Sequence, residues 1–178
     1  MPVYTALLRG INVSGHKIIK MDRLKSIFES LEYQHVRTYI QSGNVIFQSS
    51  ESQEELLRET IEAELRSSLG YDIPVVVRSQ TELEETIRRN PFPKILENES
   101  VYVSFLYEEP SAEAVDHLLS YKNDADDFVV MHREVYILCR KNYGTSLLSK
   151  NFLEKKLGVY ATTRNWNTVN KLATLCKL

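Results

Sequence analysis

Six glycines and five prolines in 178 residues leave no material for a long flexible linker or a low-complexity tract. Two cysteines, Cys139 and Cys176, are too few and too far apart for a disulfide framework, and they read as reduced thiols of a cytoplasmic protein. No apolar run approaches the roughly 20 residues that a membrane span needs, so no membrane partner is expected. The first residues, Met1 to Arg9, have no basic n-region and no cleavage motif, so they read as a strand rather than a signal peptide. The four histidines (His16, His35, His117, His132) stand singly, without metal-ligand spacing, and neither a metal nor a cofactor is expected.

What is present is an ample apolar fraction, 43% of the chain, enough for a proper core. The net charge of −2 argues against a dedicated nucleic-acid coat, but its distribution is uneven. Residues 1–49 sum to +3, residues 50–139 to −12 and residues 140–178 to +7. Two basic ends flank an acidic middle. If the ends meet they form a positive face; otherwise the pattern is only that of solvated helix faces.

Periodicity divides the chain into two similar series. Val3 to Arg9 is a nearly continuous apolar strand, expected to be covered on both faces. Met21, Leu24, Phe28 and Leu31 fall at helical spacing. Val36–Gln41 and Asn44–Gln48 form a hairpin around Ser42-Gly43-Asn44, where Gly and Asn tolerate positive φ. A helix from about Gln53 to Leu69 is closed by Gly70, and Pro74–Ser79 is another strand. This order, βαββαβ, is the ferredoxin-like one. After a short helix near Thr81–Arg89, Asn90-Pro91-Phe92-Pro93 breaks the chain. A strand at Val101–Tyr107, a helix at Ala112–Tyr121 and a hairpin of Phe128–Met131 with Val135–Cys139 follow. Helices from about Thr145 to Leu157 and from about Asn165 to the end complete the series. The second series thus reads as βαββα with its closing strand missing or replaced. The expected fold is α+β, a duplication of two ferredoxin-like halves, 1–79 and 80–178, the second followed by a C-terminal helix.

Several segments carry candidate chemistry. Gly10-Ile11-Asn12-Val13-Ser14-Gly15-His16-Lys17 comes close to a phosphate-binding P-loop, but His16 stands at the lysine position and no Ser or Thr follows to supply the magnesium-binding hydroxyl. A plain strand-to-helix connection explains it as well, though Arg9, Asn12 and Lys17 could face a ligand. Gln41-Ser42-Gly43-Asn44 reads as turn chemistry and not as a nucleophile elbow. A sheet binding RNA would need two or three stacking aromatics, and only Tyr4 and Phe47 are available. In Thr162–Lys171, Thr162, Thr163 or Asn165 can cap the last helix, and Trp166, Val169, Leu172, Ala173 and Cys176 form a helical stripe. Capping and core packing leave Arg164, Asn167 and Lys171 unexplained. A guanidinium beside free helix-start amides would suit an anion.

Arg9–Val13, Thr38–Val45, Asn90–Pro93 and Thr162–Val169 together resemble the hallmark segments of the domain-of-unknown-function family 1697, small bacterial proteins. The resemblance spans essentially the whole chain and implies an α+β fold of two ferredoxin-like repeats. It implies no activity and no catalytic residues. The leading expectation is a protein that binds a small anionic ligand, nucleotide-like or phosphorylated, through Arg9, Asn12, Lys17, Gln41, Asn44, Arg164, Asn167 and Lys171. A nucleic-acid binder using the positive face, and an interaction module with no ligand, are the alternatives.

Overall fold

The computed structural model describes residues 1–140 and 151–177. In chain order the elements are β1 (Val3–Leu8), α1 (Met21–Glu29), β2 (Gln34–Tyr39), β3 (Asn44–Gln48), α2 (Glu54–Leu69), β4 (Val75–Ser79) and α3 (Gln80–Arg88). There follow β5 (Ser100–Leu106), α4 (Ala112–Leu119), β6 (Asp126–Met131), β7 (Glu134–Cys139), α5 (Phe152–Leu157), β8 (Ala161–Asn165) and α6 (Trp166–Leu175). The expected helix beginning near Thr145 lies in its first part outside the described residues. The chain divides into two compact units, Met1–Glu85 with Lys171–Leu178, and Thr86–Asn170.

The first unit holds an antiparallel sheet of order β2-β3-β1-β4. Alternation along β1 points Tyr4, Ala6 and Leu8 at one face, where they pack with Leu24, Ile27 and Phe28 of α1 and Leu57, Ile61 and Leu65 of α2. The apolar centre is aromatic. Phe47 stacks on Tyr33 with 4.5 Å between ring centroids and meets Phe28 edge-on at 5.7 Å. Thr5, Leu7, Ile46, Val76 and Arg78 point the other way and are equally buried, so β1 is covered on both faces as its apolar run requires. On this second face the end of α6 is tied down: Cys176 Sγ lies 3.3 Å from Thr5 Oγ1, and the Arg37 guanidinium donates to the Leu175 carbonyl, satisfying a helix-end acceptor. Gly70, at φ 82°, closes α2 with its N–H on Arg66 O.

The second unit repeats the plan, with a four-stranded antiparallel sheet of order β6-β7-β5-β8. Leu106, Phe128, Val135 and Ile137 pack with Leu118 of α4 and Leu153 and Leu157 of α5. The closing strand expected to be missing is present as β8. Thr162 and Thr163, assigned above to capping, sit inside it, because β-branched side chains on a strand paired with β5 outweigh their capping tendency. Each series therefore runs βαββαβα. Among the described residues no helix is long and apolar enough to cross a membrane.

Gly43 fixes the end of β1. Its φ is 90°, and a Cβ there would lie 2.6 Å from Ile11 Cδ1 and 3.0 Å from Leu8 Cβ, while its carbonyl accepts from Leu8 N–H. Gly43→Ala is expected to lower stability by about 2–3 kcal/mol, measured by chemical denaturation. Burial, with the nearby Glu51 adding to it, pushes the Tyr33 phenol up to about 12. An acid whose folded-state pKa exceeds the unfolded value near 10 contributes stability that is complete below pH 10 and lost as pH rises through 10 to 12. Denaturation midpoints measured across that window should fall less steeply in Tyr33→Phe than in the parent protein.

Candidate functional site

Beyond β1 the chain makes a compact loop in which Gly10, Asn12, Ser14, Gly15 and Lys17 all have positive φ, from 48° to 75°. Val13 to His16 closes as a two-residue hairpin: His16 N–H donates to Val13 O at 2.9 Å, and positive φ at both Ser14 and Gly15 marks a type I′ turn. The Ser14 and Gly15 amides are exposed and have no partner among the described residues. These two amides are backbone donors available to a ligand.

Asn12 holds this loop in place. Its Oδ1 accepts from Ile19 N–H at 2.8 Å, and its Nδ2 donates to Ile19 O at 3.1 Å and Gln41 O at 2.8 Å. One side chain thus joins both ends of the loop and the β2–β3 turn. Lys17 is half-buried; its ammonium donates to Asp72 O at 2.8 Å and lies 5.6 Å from the Tyr71 ring centroid. The remaining two ammonium protons are not used by that bond. Arg9 follows β1, half-buried, with its backbone N–H on Pro74 O. Gln41 is exposed at the turn.

The other expected ligand residues are placed differently. Asn44 is buried and builds the turn, its Nδ2 donating to Tyr39 O at 2.8 Å and Ser42 Oγ at 3.1 Å. The left-handed residues here are Ile40 and Gly43, not Asn44, whose contribution is its side chain instead. Arg164 was expected beside helix-start amides, but it lies within β8 and is buried, donating to Thr162 Oγ1 at 2.6 Å and Thr163 O at 3.0 Å. Burial lowers its pKa to about 10. The helix cap belongs to Asn165, whose Oδ1 accepts from Thr168 N–H at 2.8 Å. Asn167 and Lys171 are exposed on α6, and Trp166 is half-buried on it. Tyr4 and Phe47, the two aromatics that an RNA-binding sheet would need, are inside the core of the first unit.

One correspondence escaped the sequence reading. Arg78 in β4 is opposite Thr5 of β1, and Arg164 in β8 is opposite Val103 of β5. Both arginines are buried, both donate to the carbonyl of the preceding residue, and both precede a capping residue, Ser79 or Asn165. The signal was Val77-Arg78-Ser79 against Thr163-Arg164-Asn165, the same place in two βαββαβα series.

A family model described as "Protein of unknown function (DUF1697)" matches residues 1–136. The chain belongs to this family. Comparison with curated proteins gives no match. Among solved structures, the chain is similar to a conserved bacterial protein, SP0830 from Streptococcus pneumoniae, at 21% identity over 99% of both chains, with a TM-score of 0.74. At that identity the likeness concerns the fold.

Asn12→Ala removes both donors and the acceptor of the clamp, and is expected to lower stability by about 2 kcal/mol. Asn12→Asp keeps the acceptor for Ile19 N–H but sets a carboxylate oxygen against the carbonyls of Ile19 and Gln41, so it is expected to lose at least as much as Asn12→Ala; a clearly smaller loss would show that the two Nδ2 bonds contribute little.

Proposed function

We propose that this family member is a cytoplasmic protein of bacterial type, built from two ferredoxin-like repeats, that binds a small anionic ligand, nucleotide-like or phosphorylated. The site assigned is the Gly10–Lys17 loop with the adjoining β2–β3 turn. The observation that carries the reading is the open amide pair of Ser14 and Gly15 next to Lys17, in a stretch without carboxylates. Residues 9–20 contain Arg9, Lys17 and Lys20 and no Asp or Glu, and residues 34–50 add Arg37, again without a carboxylate. Two unpartnered backbone donors and the ammonium protons left over by the Asp72 O bond supply the hydrogen bonds that an anion needs.

In this reading Lys17 and the loop amides contact the ligand, Arg9 and Gln41 flank it, and Asn12 and Asn44 keep the loops in shape. The buried Arg164 serves β8, and the exposed Asn167 and Lys171 are not required. A nucleic-acid role through a stacking sheet finds no support, because the aromatics it would use are enclosed.

Binding to the folded state alone raises the melting temperature with ligand concentration. Inorganic phosphate and ADP, titrated at low ionic strength, are expected to raise it, and Lys17→Gln should weaken the apparent affinity by about tenfold, equal to about 1.4 kcal/mol. No rise with either anion, or a rise that Lys17→Gln leaves intact, contradicts the assignment.

A further inference from the structure

The same corner of the molecule exposes three aliphatic side chains: Val13 at 58%, Ile18 at 71% and Ile40 at 46% of their full accessible surface. Single exposed aliphatics are ordinary, but these three sit on segments joined to one another by Asn12. Val13 flanks the open turn amides, Ile18 lies between Lys17 and Ile19, and Ile40 precedes Gln41, whose carbonyl takes the Asn12 bond.

Ile40 is the most telling of them. Its φ is 51°, and a β-branched residue in the left-handed region is a true outlier. Asn or Gly would occupy that backbone with less strain and, at an exposed site, with less apolar surface in water. Local rules are broken here twice in one residue, and such departures concentrate where a surface has a task other than folding. The loop itself carries Arg9, Lys17 and Lys20 and no carboxylate, and the neighbouring Asp72, whose carbonyl holds the Lys17 ammonium, has its carboxylate paired with Arg66. An aliphatic rim around an anion-binding turn is complementary to a ligand with both characters.

We infer that the ligand is an amphiphilic anion, a phosphate or carboxylate head bearing an aliphatic tail, with the head at Ser14, Gly15 and Lys17 and the tail against Val13, Ile18 and Ile40. This inference rests on the anion-binding reading above and adds the chemical class of the ligand. Binding would remove apolar surface that the folded protein otherwise leaves in water, so affinity grows with tail length until the rim is covered.

The test is calorimetric titration of the full chain with inorganic phosphate, then methyl, butyl and octyl phosphate below the micelle concentration, with octanol as a tail lacking the head. Affinity is expected to rise at least tenfold from methyl to octyl phosphate, with octanol binding far more weakly. Ile18→Gln and Ile40→Asn are expected to remove most of that gain while leaving the affinity for inorganic phosphate within twofold. Ile40→Asn should also keep or raise the melting temperature, because Asn accepts the left-handed backbone. Phosphate binding with no dependence on tail length overturns the inference and leaves the anion site standing. A tail gain that survives both substitutions, or a lower melting temperature in Ile40→Asn, also overturns it. So does a concentration-dependent dimer in sedimentation that Ile18→Gln abolishes, since a second copy would then cover the rim. No binding of any phosphate removes both readings together.

Discussion

The side chain of Asn12 is the constraint on which the open end of β1 depends. Its bonds to both backbone groups of Ile19 and to the Gln41 carbonyl turn two separate connections into one object. Without them the loop from Gly10 to Lys17 would be a glycine-hinged strap with every reason to move. With them, the loop carrying five left-handed residues is tied at both ends, and the Ser14 and Gly15 amides stay without a partner among the described residues. Gly43 completes the fit from beneath, since no larger residue could lie against Ile11 and Leu8. Preorganisation of this kind is what allows a few polar groups to bind a small ligand with useful affinity.

The two units show how one plan accommodates different local chemistry. Each sheet has a central strand buried on both faces, an outer hairpin, and a last strand that ends in a buried arginine and a helix cap. The arginines are costly to bury, as the lowered pKa of Arg164 shows, and in both units the guanidinium is met by the carbonyl of its own strand. Their matching positions make the arrangement a feature that both units share. The loops after the first strands of the two series differ in length and composition. After β1 it holds Gly10, Asn12 and Gly15; after β5 it holds Glu108, Glu109 and Pro110. The candidate site is thus an elaboration of one unit.

Most of the fold was legible because its signals are local and periodic. The stripes of α1 and α2, the glycine that ends α2, the double burial of β1 and the buried Val169, Leu172, Ala173 and Cys176 all follow from spacing, whereas Trp166, expected on that last stripe, is only half-buried. What failed was a competition between two local signals. Thr162-Thr163 suits a helix cap and a strand equally, and only pairing with β5, a contact distant in sequence, decides for the strand. The same competition hid that Arg164 lies within β8, just before α6 begins, with its guanidinium buried. Of the expected site, the glycine loop and Gln41 were readable as candidates, but Asn12 could not be recognised as a clamp, nor Asn44 as a turn builder, because their partners are set by the tertiary fold. The strain at Ile40 has no sequence signature at all.

Recognition of an anion through the backbone of the Gly10–Lys17 loop is open to direct measurement. Amide chemical shifts of the full-length protein, recorded by nuclear magnetic resonance during titration with inorganic phosphate at constant ionic strength, test it most directly. Saturable shifts concentrated at Ser14, Gly15 and Lys17 are expected, with the strands of the same sheet nearly unmoved. Shifts that are absent, linear without saturation, or centred on α6 instead of the loop would contradict it.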